Sequence, residues 1–468
     1  MAEERAPDMA TIKERTGPEQ GVLMNATLPT DAPRMNNVLA PVCGRVAWRL
    51  LPLLFLGFLA SYLDRVNVGF AKLRMLSDLS MSEASYGMGA GLFFLGYIVC
   101  EMPSNALMVR VGARRWLARI LITWGLCSGA MAFVRSPAEF YVLRLLLGIA
   151  EAGFMPGVLF YLSQWFPPEY RARVTARFMV GIPLASVLGG PLSGMILDMM
   201  AGYGGIAGWR WLFFVEAVPP VLIGIAVFLY LPDSIAQARF LTPAQKALLA
   251  ARCVPVDHTH SLRAMVDALR NRRIWLLGLA DGALLLGLYT IAFWLPSFLR
   301  EAGVVSSLQV GLLTAIPNIA AAIAMIVNGW HSDLRGERKR HIIVPVLIGA
   351  AALALLPLAQ GSVMVAIMLI TVANMGILGA LPPFWTLPSL MLPEAATVAA
   401  GLALVGAISN LAGFMATDLI GWARSIMPGS WGIFVVFAGC VAMGAGMVVT
   451  IPARSINVAR TAPAEHNG

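Results

Sequence analysis

Tyr62-Leu63-Asp64-Arg65-Val66-Asn67 lies inside an otherwise apolar stretch running from about Trp48 to Ala71. A stretch of that length crosses a bilayer as a helix. An acid and a base side by side within it cost roughly 2.5–3.5 kcal/mol each to insert. Charges kept at such a cost face a bundle interior or a watery cavity, and they mark function by default. The other apolar stretches read as walls around this pair.

Composition agrees with that placement. The 468 residues are 58% hydrophobic and 13% charged, whereas soluble domains run at about 45–50% and 25%. A soluble multidomain enzyme is excluded on these grounds, and an all-α membrane protein is expected. The five cysteines, Cys43, Cys100, Cys127, Cys253 and Cys440, are far apart and show no CxxC or Cys/His spacing. They therefore point to neither a metal site nor a disulfide framework, and no cofactor is expected. Residues 1–45 are polar, carry charge of both signs, and read as a disordered cytoplasmic tail.

Twelve hydrophobic spans follow. Six centre near 47–71, 85–108, 115–134, 138–163, 174–199 and 209–231, and six near 274–299, 306–330, 341–358, 363–390, 397–423 and 431–452. The predicted organisation is a six-helix bundle over 46–232, a polar central loop over 233–272, a second six-helix bundle over 273–453, and a tail over 454–468. The basic residues set the orientation. About 26 Lys and Arg fall on the side of the termini, the central loop and the loops after spans 2, 4 and 8. The opposite face keeps about six: Lys72, Arg74, Arg135, Arg210, Arg300 and Arg424. Both termini are thus predicted to be cytoplasmic. The net charge of +9 is a topology signal and needs no nucleic acid to explain it.

Few charges sit within spans. Arg144 and Glu151 lie seven residues apart, two helical turns, so both point to nearly one face of span 4. Span 1 starts inside and span 4 outside, so Asp64 and Arg65 can meet Arg144 and Glu151 at similar depth. Two acids facing two bases are expected to neutralise one another. The same set suits proton-coupled anion transport. An Arg offers a planar fork for a carboxylate, and a neighbouring buried carboxyl can hold or lose a proton. A static ion-pair network locking spans 1 and 4 is the competing reading. Dense Gly and Pro in spans 2, 5 and 11 imply close helix packing.

Several motifs carry a resemblance. Leu63-Asp64-Arg65-Val66-Asn67-Val68-Gly69-Phe70-Ala71 resembles the first-helix signature of the anion:cation symporter branch of the major facilitator superfamily. Arg144 through Gly157, with Gly148, Glu151, Gly153 and Pro156, resembles its fourth-helix signature. Trp165-Phe166-Pro167 with Arg171 and Arg173 resembles its next loop, and Gly208-Trp209-Arg210-Trp211 with Glu216 the start of its sixth helix. The bacterial tartrate, hydroxyphenylacetate and phthalate permeases look nearest, with sugar-acid permeases further away. The resemblance implies twelve transmembrane helices in the major facilitator fold, a monomer in the bacterial inner membrane, and proton-coupled uptake of a small organic anion. It assigns proton coupling to Asp64 and Glu151 and substrate binding to Arg65 and Arg144, with Tyr62, Asn67 and Asn410 nearby. Tyr289 and Trp385 are candidate walls by position alone. Arg110, Gly112 and Arg114 after span 2, and Gly329, Asp333 and Arg338 after span 8, resemble the family's cytoplasmic latch loop. In the first copy Val109 stands where an acid is expected.

Departures from the family pattern include Asp281 and Asp418. Asp281 is expected near a helix end in water, and Glu101 beside loop arginines. Glu216 reads as structural, with Arg210 close by. An exporter or uncoupled facilitator on the same fold is the alternative, and a membrane sensor or intramembrane enzyme is the third class. No GxxxxGK[ST] loop or HExxH motif supports ATP-driven transport or hydrolysis.

Overall fold

The computed structural model describes residues 32–253, 261–391, 395–426 and 432–457. The described residues are all-helical. The first half holds α1 (Ala32–Asp78), α2 (Glu83–Val111), α3 (Ala113–Ala130), α4 (Pro137–Glu151), α5 (Phe154–Trp165), α6 (Pro168–Met179), α7 (Gly181–Met199) and α8 (Gly208–Tyr230). Two short helices, α9 (Pro243–Arg252) and α10 (Ser261–Arg270), occupy the central polar stretch. The second half holds α11 (Arg272–Glu301), α12 (Ser307–Arg335), α13 (Lys339–Leu355), α14 (Val363–Phe384), α15 (Leu387–Met391), α16 (Ala395–Ile426) and α17 (Ile433–Thr450). Among the described residues, eleven helical stretches are long and apolar enough to cross a membrane.

Three boundaries differ from the sequence expectation. Helix α1 already begins at Ala32, so residues 32–45 are helical rather than part of a disordered tail. Pro33 sits in the first turn, where its missing N–H costs no hydrogen bond. Span 4 is two helices rather than one, α4 and α5, parted at Ala152-Gly153. Span 5 is likewise parted, α6 giving way to α7 at Val180. The chain divides into a compact unit of residues 1–48 and another of residues 49–468, and the second carries every candidate site residue.

One helix of each half corresponds in length and position. Helix α12 has the same 29-residue length as α2, and both its ends lie 224 residues further along the chain. Within the first half, α2 packs on α4 so closely that a Cβ on Gly148 would lie 2.0 Å from the Phe93 carbonyl oxygen. The second half shows the same device, with Gly376 of α14 set against Gly349 and the Pro345 carbonyl of α13. Small residues at such crossings let backbones meet where lipid offers no hydrophobic driving force.

The halves meet along α2 with α16 and α7 with α12. Gly87 abuts Thr417 and Gly421, while Gly190 faces Gly311 and Gly194 faces Ser307. These contacts lie in the first two turns of α2 and α12 and in the C-terminal halves of α7 and α16. Helices of the first and second halves of the chain therefore meet at the end away from the central polar stretch.

Candidate functional site

Helix α1 directs its polar residues along two faces. Ser61 and Arg65, one turn apart, share one face. Asp64 and Asn67 share the other. The adjacent Asp64 and Arg65 consequently serve two different clusters.

The first cluster is an ion pair at the break in span 4. Glu151, the last residue of α4, is 1% exposed. Its Oε1 accepts from Ser61 Oγ at 2.6 Å, Arg65 Nη2 at 2.8 Å and Arg65 Nε at 3.1 Å. Its Oε2 is buried and meets no donor among the described residues. The Arg65 guanidinium lies 5.2 Å from the Tyr62 ring centroid, 5.4 Å from that of Phe93 and 5.2 Å from that of Tyr97. These ring faces hold the cation in place beside its counter-ion.

What ends α4 just after Glu151 is local. Gly153 adopts φ +86, a left-handed conformation that side chains with a Cβ resist. A Cβ there would lie 2.5 Å from Ser104 Oγ. That hydroxyl donates to the Ala152 carbonyl oxygen at 2.7 Å and accepts from Trp116 Nε1 at 3.1 Å. The carbonyl freed by the break thus finds a donor on α2. Broken helices of this kind are tolerated in membrane proteins where they line a cavity or are covered by protein.

The second cluster holds Asp64, 4% exposed, without a cation. Its Oδ1 accepts from Ser128 Oγ and from Asn67 Nδ2 at 3.0 Å, and its Oδ2 from Trp124 Nε1 at 3.0 Å. Three neutral donors on two oxygens form an acceptor set that a carboxylate fills.

Arg144 is 1% exposed and donates through Nη2 to the Ala90 carbonyl oxygen at 3.1 Å, with its guanidinium 4.9 Å from the Phe93 centroid. No carboxylate lies within ion-pair distance of it among the described residues. The expected square of two acids facing two bases is therefore one ion pair, Arg65 with Glu151, plus two charges held apart among neutral groups. The reason is the 100° turn between successive helix positions, which sends Asp64 toward α3 and Arg65 toward α4.

Arg65 also faces a cavity of about 70 Å3 between the two halves. Its lining includes Tyr62 from α1, Ser186 from α7, Tyr289 from α11, Asn318 from α12 and Asn374 from α14. Of the residues singled out from sequence, Tyr62, Arg65 and Tyr289 line it. Asn67, Arg144, Trp385 and Asn410 do not. Asn67 is instead a support for Asp64. Asn318 and Asn374 went unremarked in the sequence, since a lone amide in an apolar span carries no motif.

The remaining charges fall differently from expectation. Asp281 is fully buried and accepts from Ser409 Oγ of α16, so it is not at a wet helix end. It sits nine residues into α11, where α16 covers it. Arg210 donates to the Ala132 carbonyl at 2.6 Å rather than pairing with Glu216, whose Oε1 accepts from Ser193. Glu101 forms no ion pair among the described residues, and its backbone carbonyl accepts from Asn105.

The loop after α2 gains the acid its own sequence lacks. Asp233, just after α8, accepts from the Arg114 backbone N–H at 2.9 Å and pairs with Arg114 Nε at 3.4 Å. Gly112 turns there at φ +96, and a Cβ would crowd Asp233 Oδ1 at 3.0 Å. In the second half, Asn457 Oδ1 accepts from the Arg338 backbone N–H at 2.9 Å. Arg338 also donates to Ser332 Oγ at 2.9 Å. The same 224 residues separate Arg114 from Arg338 and Asp233 from Asn457. Arg110 is exposed, Gly329 packs against Pro382 inside α12, and the Asp333 side chain lies outside what the structure describes.

The family model for the Major Facilitator Superfamily matches residues 54–417. A Pseudomonas putida protein named "Putative metabolite transport protein NicT" is 46% identical over 88% of this chain and 95% of its own length. An Agrobacterium vitis protein named "Putative tartrate transporter" is 42% identical over 90% of this chain and 95% of its own. Among solved structures, a D-xylose-proton symporter is similar in fold, with a TM-score of 0.69 at 16% identity, covering 88% of this chain and 99% of that one. The chain belongs to the Major Facilitator Superfamily and is a multi-pass membrane transporter, not an enzyme.

Proposed function

We propose that the chain is a secondary active transporter that takes up a small organic anion together with a proton across a bacterial inner membrane. In this reading twelve helices form two six-helix bundles with both termini in the cytoplasm. The observation that carries it is the buried Arg65–Glu151 pair at the edge of the cavity, with no donor to Glu151 Oε2 among the described residues. A proton on that oxygen neutralises Glu151 and releases the guanidinium, whose planar fork then takes the substrate carboxylate. Loss of the proton on the far side returns Arg65 to Glu151 and expels the anion. Anion and proton thus occupy the site together or not at all. Asp64 keeps its neutral donors throughout and fixes the α1–α3 contact from which Arg65 projects. The names of the tartrate-transporter relatives are consistent with a carboxylate as cargo.

The test is uptake of labelled carboxylic acids, tartrate first, into proteoliposomes carrying an inward proton gradient. Accumulation should collapse on adding a protonophore, and Arg65→Ala should abolish it. Accumulation unchanged by the protonophore removes the proton from the mechanism and leaves a facilitator or exporter.

A further inference from the structure

Besides Arg65, the cavity lining carries two amides from the second half, Asn318 of α12 and Asn374 of α14. Their hydrogen bonds run in one direction. Asn318 Nδ2 donates to the Thr314 carbonyl oxygen at 2.8 Å, one turn back on its own helix. A backbone carbonyl only accepts, so this bond fixes which end of the Asn318 amide is nitrogen. Asn318 Oδ1 must then face Asn374, and Asn374 Nδ2 donates to it at 3.2 Å. Both amide orientations are settled by that single carbonyl. What remains is Asn374 Oδ1, an acceptor on a residue 1% exposed, with no donor among the described residues.

The nearby hydroxyls do not supply one. Thr314 Oγ1 donates to the Gly311 carbonyl at 2.7 Å, and Ser186 Oγ to the Ile182 carbonyl at 3.3 Å. A buried amide oxygen without a donor is costly, and native structures keep few of them. The lining therefore holds, from the first half, a cation with hydrogen-bond donors and, from the second, an amide whose buried acceptor is oriented by a fixed relay.

We infer that Asn374, held by Asn318, is a specificity-determining acceptor that binds a hydroxyl or N–H of the transported acid while Arg65 holds its carboxylate. The inference rests on the carboxylate-transporter reading and narrows it. The cargo is a compact acid with a hydrogen-bond donor beyond the carboxylate that Arg65 holds, and acids lacking that donor are poor cargo. A pocket that offers a polar group rejects the ligand that cannot satisfy it far better than an apolar pocket rejects an extra hydroxyl.

Equilibrium binding to the purified full chain in nanodiscs, at low pH, tests this with two matched pairs: tartrate against succinate, and 4-hydroxyphenylacetate against phenylacetate. In at least one pair the hydroxylated acid should bind roughly tenfold to a hundredfold more tightly, the range a lost partner for a buried polar group implies. Asn374→Leu should erase that preference while the unsubstituted acid still binds in an Arg65-dependent manner, which also reports a folded site. Asn318→Ala, which frees the Asn374 amide to turn, should weaken the preference without removing it. Equal affinities within both pairs in the unmodified protein overturn the inference, as does a preference that survives Asn374→Leu; either result leaves the carboxylate reading standing. If no acid of either pair binds, the carboxylate reading itself fails.

Discussion

Among the described residues three donors converge on Glu151 Oε1 and none on Oε2, so in the proposed mechanism the side chain serves as both a counter-ion and a place for a proton. Among the described residues, the groups that hydrogen-bond to it are Ser61 and Arg65, and of these Arg65 alone is ionic. The pH dependence follows with a definite sign. Acid binding should tighten as pH falls, because protonation releases Arg65, and weaken as pH rises, because the carboxylate recaptures it. Glu151→Gln should flatten that profile. It should hold acid affinity near the low-pH value of the unmodified protein, preserve anion exchange, and abolish proton-driven accumulation. Arg65→Lys keeps the charge but loses the fork, and should weaken binding by about tenfold or more. A Glu151→Gln protein that still accumulates acid against a gradient with normal pH dependence would assign the proton to another group. The sequence made this pair visible because ionisable residues in apolar spans are rare enough to count. It could not show that Asp64 and Arg144 stay out of the ion pair, since that depends on which neighbours the two faces of α1 meet.

At the scale of the helix, the break between α4 and α5 sets where Glu151 stands. Spans and their order were legible as apolar runs, but a two-residue interruption leaves almost no trace in hydropathy. Gly153 stands in the fourth-helix signature, but among 45 glycines nothing marked it as the place where the helix parts. Likewise Asp233 became the partner of Arg114 only once the end of α8 came back to the loop after α2. Gly153→Ala measures the break. The left-handed backbone costs roughly 1–2 kcal/mol with a Cβ, and the displaced Ser104 gives up hydrogen bonds worth about 1 kcal/mol each. Gly202→Ala is the matched control, with φ +77 but open space around its Cβ. In thermal unfolding of the detergent-solubilised protein, Gly153→Ala should lower Tm clearly more than Gly202→Ala. Equal losses would mean that Ser104 moves aside at no cost and that the break is not pinned by α2.

Across the whole molecule, charge is distributed unevenly over a duplicated frame. The first half brings the ion pair and the second half brings the amides, and the cavity exists only where they face each other. What joins the halves at the far end is a second set of charges. Lys72 Nζ of α1 lies 2.6 Å from Glu83 Oε2 of α2, donates to Ser297 Oγ of α11 at 3.1 Å, and sits 3.6 Å from the Trp294 centroid. Arg424 of α16 reaches Glu83 at 3.8 Å and pairs with Glu301 of α11. Asp198, ending α7, accepts from Ser306 and from the Leu308 N–H at the start of α12. Lys72 and Arg424 are 3% and 4% exposed, so their attractions are little screened. The cross-half part of this set exists only while the bundles are closed at this end, so removing it destabilises that form alone. Lys72→Met keeps the bulk and deletes the charge. The Lys72–Glu83 pair lies within the first half, so what the closed form alone loses is the buried cation–π contact with Trp294, about 2 kcal/mol, and the charged hydrogen bond to Ser297, about 1.5 kcal/mol, together enough to shift a two-state balance roughly a hundredfold. Spin labels at positions 203 and 305, both exposed and on opposite halves, report the opening. On a background with the five native cysteines replaced, the unmodified protein should give one short distance, and Lys72→Met should add a longer one. Arg74→Met, an exposed neighbour, should leave the distribution alone. If Lys72→Met and Arg74→Met give the same distances, the glycine contacts between α2 and α16 and between α7 and α12 hold this end closed without help from the charges.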